Sequence, residues 1–121
     1  MTKGHDIEER LVDFGVRIIK VCDSLPVNSI GAKHIRGQLV RSGTSPAPNY
    51  GEARAAESGK DFIHKLKIVL KELNESRIWL KMIARASLIP QSRLDEIADE
   101  CDQLCRIISS SIQTARSRTK N

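Results

Sequence analysis

The stretch RSGTSPAPNYGEARA, Arg41 to Ala55, decides how the chain is read. Its two prolines, two glycines and run of Ser, Thr and Asn have the local composition of a loop or linker. Its spacing points the other way. Placed on a helix, Ile35, Leu39, Pro46, Tyr50 and Ala53 fall roughly on one side. Gln38, Ser42, Ser45, Asn49 and Glu52 fall on another, at steps of four, three, four and three. A loop has no reason to hold a polar stripe in helical register. Proline inside a helix removes one hydrogen bond and clashes with the preceding turn. Nearby Ser and Thr side chains can take up the freed backbone groups, and small residues let a partner helix approach. Two readings follow. Either a helix bends near Ser45–Pro48, or the chain is irregular from Ser42 through Gly51 and the polar register is a coincidence. The register favours the bent helix.

The apolar period is helical on both sides of this stretch. Ile7, Leu11, Phe14, Ile18 and Val21 mark a first helix, with a second apolar row at Val12, Val16 and Ile19. Downstream, Ser58-Gly59-Lys60-Asp61 fits a helix start with a capping Ser and an acid three residues on. Phe62, Leu66, Val69, Leu73 and Leu80 then form a core stripe, with Ile68 and Trp79 set off it. The last segment opens near Pro90 or Ser92 and carries Leu94, Ile97, Cys101, Leu104, Ile108 and Ile112. No segment alternates with period two for the length of a strand. The reading is all-α: an antiparallel up-down four-helix bundle in a single domain, 1–121. Its helices are expected at about 6–23, 31–57, 59–86 and 91–115, with helix 2 kinked near Ser45–Pro48 and a frayed basic tail at 116–121.

Composition narrows the function classes. A chain of 121 residues with 40% hydrophobic residues is long enough for its own core. The aromatics are only Phe14, Tyr50, Phe62 and Trp79, so aliphatic residues must fill that core. No apolar run reaches the length of a membrane span, and the opening MTKGHDIEER is too polar for a signal sequence. Cys22, Cys101 and Cys105 are an odd number, and the last two stand one helical turn apart. That suits reduced core thiols in a cytoplasmic protein. The net charge of +5 is uneven. Residues 59–88 hold seven positive against three negative side chains, which points to an anionic partner.

QLVRSGTSPAPNYGEA followed by DFIHKLKIVLKELNESRIWLKMI resembles the two signature segments of the 23S ribosomal RNA intervening-sequence proteins. The first segment matches at Arg41, Ser42, Ser45, Asn49 and Glu52. The second matches at Asp61, Phe62, Leu66, Lys71, Glu72, Asn74, Glu75, Arg77, Trp79 and Leu80. The tight match covers about residues 38–83. Members usually show at most one proline in the first segment, so Pro46 and Pro48 together depart from the pattern. The resemblance implies an antiparallel four-helix bundle that assembles as a homo-oligomeric ring, most often a pentamer. A related branch, the accessory variability determinant proteins of retroelements, is basic and binds nucleic acid beside a reverse transcriptase. A reverse transcriptase enters as a partner through that analogy alone.

Lys60, His64, Lys67 and Lys71, with Lys81 and Arg85 further on, form the candidate nucleic-acid stripe. Lys and Arg neutralise phosphates with little regard to sequence. A solvated helix face is the alternative. Arg41, Ser42, Ser45, Asn49, Glu52, Glu72, Asn74, Glu75 and Arg77 read as a polar network between helices or subunits, in which Arg–Glu pairs satisfy each other's charge. The competing reading makes Glu52 and Glu75 a catalytic pair, but no nucleophile has a His or Cys partner at a motif spacing. Val12, Val16, Ile19, Ile68 and Trp79 are apolar residues left over from the core, hence candidates for an oligomer interface. The three histidines and three cysteines supply no compact four-ligand set, and the Glu-x-x-His pairs of di-iron bundles are absent. The expectation is a non-enzymatic protein without cofactor, metal or membrane. It binds RNA or DNA weakly, or serves as a structural ring for another partner.

Overall fold

The computed structural model describes residues 2–119, and three of its helices start where a hydroxyl takes up an unbonded amide. Thr2 caps α1 (Lys3–Asp23), its hydroxyl accepting from the His5 amide at 3.1 Å. Ser29 does the same for α2 (Ile30–Thr44) through the Ala32 amide, also at 3.1 Å. Ser58 caps α4 (Gly59–Arg85) through the Asp61 amide, as its spacing predicts. Between α2 and α4 lies α3 (Pro46–Arg54). A short 3-10 turn, Gln91–Arg93, leads into α5 (Asp95–Thr119).

The decisive stretch is a bent helix. Ser45 keeps helical angles (φ −68°, ψ −36°), its amide reaches the Arg41 carbonyl at 3.1 Å, and its own carbonyl accepts from the Asn49 amide at 3.2 Å. The ladder is interrupted because Pro46 and Pro48 bring no N–H to the carbonyls of Ser42 and Thr44. Pro46 sits at the first position of α3, where a missing amide costs nothing. Asn49 ties the junction down: its side-chain amide donates to the Ser45 carbonyl at 3.0 Å and to the Ser45 hydroxyl at 2.9 Å.

Taking α2 and α3 as one bent rod, four rods form an up-down bundle. α1 packs on α2, α3 and α5, and α4 packs on the same three, so α1 and α4 stand diagonally across the core. Leu11, Phe14, Ile18, Leu39, Leu66, Leu73, Ile83, Leu104 and Ile108 are fully buried there. Each such side chain contributes about 1.5–3 kcal/mol of apolar transfer. α1 and α2 come unusually close. Buried Gly15 faces the backbone of Gly43 and Thr44, and a Cβ built on Gly43 would lie 2.5 Å from Ile18 Cγ2. Arg36 closes the α1–α2 turn by donating to the carbonyls of Cys22, Leu25 and Pro26 at 3.1–3.3 Å.

Three boundaries differ from expectation. α1 begins at Lys3 rather than near residue 6, because Thr2 supplies a cap upstream of the first apolar position. The bent rod ends at Arg54 rather than 57, as residues 55–58 turn the chain into the Ser58 cap. α5 starts at Asp95, after the 3-10 turn, and runs to Thr119 rather than 115. Residues 116–119 of the expected basic tail are therefore helical, and 120–121 lie outside the described residues. Acids in the first turn and arginines in the last suit the helix macrodipole. α4 ends with Ser87 in the left-handed region at φ 56°, its amide bonded to Ala84 and the next amide to Ile83. Among the described residues no helix is long and apolar enough to cross a membrane.

Candidate functional site

α4 sets the geometry of the basic stripe. Lys60, His64 and Lys67 line one surface hollow of about 490 Å³, together with Ile63 and Thr119 of α5. Lys71 follows one turn on, so these four side chains span about 16 Å of helix axis. Lys60, Lys67 and Lys71 are exposed and make no ion pair among the described residues. Lys65, on the flank, is held by Glu52 at 3.6 Å.

Lys81 does not join this group. It lines a separate depression with Arg77, Asp95 and Asp102, so α5 sets two acids beside it. Arg85 lies in the last turn of α4, far from Lys60 along the rod. The reason is how α5 distributes its charge. Asp95, Glu96, Asp99, Glu100 and Asp102 all precede Arg106, Arg116 and Arg118. Antiparallel packing sets the acidic half of α5 against the end of α4 and the basic half against its start.

The polar set resolves into one tight network and several local pairs. Arg41 of α2 donates to Glu72 Oε2 at 3.0 Å and to Glu75 Oε2, and Glu75 Oε2 also accepts from the Trp79 indole at 3.2 Å. Below them the hydroxyls of Ser42 and Ser76 meet at 2.9 Å, and Ser76 bonds the Glu72 carbonyl. Glu72 is 7% exposed, and both serines are fully buried. A buried carboxylate with a partner guanidinium is tolerable, whereas without one it is costly. Ser76 belongs to this centre although the sequence reading omits it. Its position, one turn beyond Glu72 and facing the small-residue stretch of α2, was the available signal.

The other members go elsewhere. Ser45 and Asn49 secure the proline bend. Glu52 pairs with Lys65, so it shares no site with Glu75. Asn74 lies toward α5, its Oδ1 3.7 Å from Cys105 Sγ, and Arg77 sits beside Asp102.

The spare apolar residues divide between diagonal rods. Val12, Val16 and Ile19 are 43–44% exposed on α1. On α4, Ile68 is half-buried, and Trp79 packs partly on the core with its ring edge-on to His34 at 5.8 Å. Ile78 and Met82 of α4, and Val27 and Ile30 at the first turn, add exposed apolar surface that spacing alone did not mark.

The three cysteines are free thiols. Burial pushes Cys22 up to about 11. A hydrogen bond shared with Cys105, reinforced by burial, pushes Cys101 up. The same bond, with the Arg77 charge, draws the half-exposed Cys105 down.

The comparisons agree with this architecture. A crystal structure from Bacteroides thetaiotaomicron, described as a protein of unknown function from the S23 ribosomal protein family, superposes with a TM-score of 0.84 at 33% identity. The alignment covers 93% of this chain and 99% of that one. No curated protein sequence matches. The profile of the family described as 23S rRNA-intervening sequence protein matches residues 4–110, nearly the whole bundle with both signature segments. The chain therefore belongs to the 23S rRNA-intervening sequence protein family.

Proposed function

We propose that this chain is a non-enzymatic, cytoplasmic accessory protein that binds nucleic acid weakly and without sequence preference, as a homo-oligomeric ring. The observation that carries the binding is the hollow framed by Lys60, His64 and Lys67, with Lys71 beyond it and no ion pair restraining the lysines. Unpaired cations set a turn apart meet successive phosphates, and no aromatic row stands among them to read bases. Lys81 and Arg85 fall outside the interface, since acids flank the first and distance removes the second.

Support for a ring comes from the two apolar patches. A cyclic assembly needs two different surfaces per subunit. The exposed α1 row of Val12, Val16 and Ile19 and the half-buried α4 residues Ile68 and Trp79 lie on different rods, so they are two distinct surfaces. The same patches favour a second reading, a structural ring that docks another protein without touching nucleic acid. The pentameric number and a reverse-transcriptase partner rest on family analogy.

Fluorescence anisotropy with generic single-stranded RNA and duplex DNA tests the binding. Three lysine–phosphate contacts per subunit predict a log–log salt slope of roughly −2 on single-stranded RNA and roughly −3 on duplex DNA. Lys67→Glu/Lys71→Glu should abolish binding while leaving the helical spectrum unchanged. Unaltered affinity in that variant selects the second reading. Sedimentation tests the assembly, and a stable monomer at micromolar concentration rejects the ring.

A further inference from the structure

Along α5, sharing no lining residue with the lysine hollow, lies a larger cavity that the proposed nucleic-acid interface does not use. Its volume is about 570 Å³, within the range of small-molecule sites. Four helices form it: the start of α1, the middle of α3, the first turn of α4 and the second half of α5. Lys3, Arg106 and Arg118 stand around it, and no acidic side chain lines it. None of the three makes an ion pair among the described residues. Ile7, Tyr50, Phe62 and Ile107 give it an apolar and partly aromatic wall, and Ser110 and Thr114 add hydroxyls.

Tyr50 supplies the second observation. It is only 4% exposed, it faces this cavity, and its hydroxyl has no hydrogen bond among the described residues. Among the described residues no buried side-chain polar atom is sealed off without a partner, so the hydroxyl is accessible on a residue that lines the cavity. Burial pushes the phenol up, with Glu8 adding to the effect and Arg54 opposing it, so the group remains a neutral donor. The hydroxyl is therefore a free donor at the cavity surface, open to water or to a ligand. Lys3 and Gly4, the first two residues of α1, are at the rim, where a long helix presents unbonded amides and its positive end.

We infer that this cavity binds a small organic phosphomonoester with a planar ring, of mononucleotide size. Three cations exceed what a single carboxylate neutralises and match a dianion. The volume and the Tyr50–Phe62 wall take a flat apolar body beside that charge. The 5′-phosphorylated end of a nucleic acid presents the same chemistry as a free mononucleotide. The assignment stands apart from the lysine hollow of α4, because Lys67 and Lys71 do not line this cavity.

Isothermal titration calorimetry of the full chain with AMP, adenosine and inorganic phosphate tests it without any substitution. AMP should bind at least tenfold more tightly than either adenosine or phosphate, since each lacks one half of the recognised chemistry. Arg106→Ala/Arg118→Ala should weaken AMP at least tenfold with an unchanged circular dichroism spectrum, as both side chains are exposed and unpaired. Tyr50→Phe should weaken it less. Lys67→Glu/Lys71→Glu should leave AMP affinity intact, so failure of the phosphate stripe and failure of this cavity are separable. A hexanucleotide with and without a 5′-phosphate identifies the source. Preference for the phosphorylated form extends the site to nucleic-acid ends, and equal binding restricts it to free nucleotides. No AMP binding at 10 mM, equal affinity for AMP and adenosine, or unchanged affinity in the double arginine variant overturns the assignment.

Discussion

Gly43→Ala is the sharpest test of how α1 and α2 fit together. On an isolated helix this change is favourable by about 1 kcal/mol, because glycine loses more backbone entropy. Here the new methyl would lie 2.5 Å from Ile18 Cγ2, 2.6 Å from Cγ1 and 2.9 Å from Cβ. Ordinary carbon contacts are near 3.5–4.0 Å, so an overlap of about 1 Å must be relieved. Ile18 is 0% exposed and has no free volume to retreat into. The relief is either an off-rotamer Ile18 or a wider α1–α2 spacing, and overpacking of this kind costs about 1–3 kcal/mol. With the propensity gain deducted, the net loss is about 0–2 kcal/mol, or a fall of up to about 10 °C in Tm. Thermal and urea unfolding by circular dichroism measures it. Ile18→Ala, which removes Cγ1 and Cγ2, should cost about 2–5 kcal/mol alone. The pair Gly43→Ala/Ile18→Ala should lose less than the sum, since the 2.5 and 2.6 Å contacts with Cγ2 and Cγ1 vanish and only the 2.9 Å approach to Cβ remains. A Gly43→Ala protein more stable than the parent by the full propensity gain of about 1 kcal/mol, or strictly additive losses in the pair, would refute the close-contact argument.

Arg41→Ala strands Glu72 at the α2–α4 interface and should cost about 1–3 kcal/mol in urea unfolding, discounted because Arg41 is half exposed. Adding Glu72→Gln should return part of that loss. Ser87→Gly removes the left-handed penalty at the end of α4 and should raise stability by about 0.5–1 kcal/mol in the same assay. Among the thiols, Cys105 should react first with a thiol-specific disulfide reagent at neutral pH in the folded protein, with Cys22 and Cys101 protected until unfolding. Cys22 rises from 9.0 to about 11 on folding. Its contribution is therefore fully present below pH 9 and is lost as pH rises toward 11. Cys22→Ala should flatten the fall in stability across that window.

Legibility in the sequence followed how local each determinant is. The apolar spacing of Leu94, Ile97, Cys101, Leu104, Ile108 and Ile112 is a property of one helix, and all six are buried. Ser58 was readable as a cap because its partner is three residues away. The bend was readable because proline lacks an amide wherever it stands. The extension of α5 to Thr119 was not, because a run of Arg, Ser and Thr looks frayed until helix polarity and the packing of Thr119 near Gly59 are considered. Lys81 could not be separated from Lys67 on one helix, since Asp95 and Asp102 that flank it arrive from another. The balanced charge of residues 89–121 concealed a helix with acids at one end and arginines at the other. The cavity of Lys3, Tyr50, Arg106 and Arg118 gathers residues more than a hundred positions apart, and no local pattern announces it.

The proline bend also partitions the bundle's cooperativity. Pro46 and Pro48 remove two ladder bonds within three residues, so the hydrogen-bonded continuity that makes a helix open as one unit stops there. α2 is anchored by Gly43, the two serines and Arg41. α3 is a nine-residue length held by Tyr50 and Ala53. Native-state hydrogen exchange should therefore divide the rod into two opening units, with amides of residues 50–54 exchanging through excursions that leave residues 34–43 protected. Because Tyr50 forms one wall of the cation-lined cavity, the shorter unit is also its door.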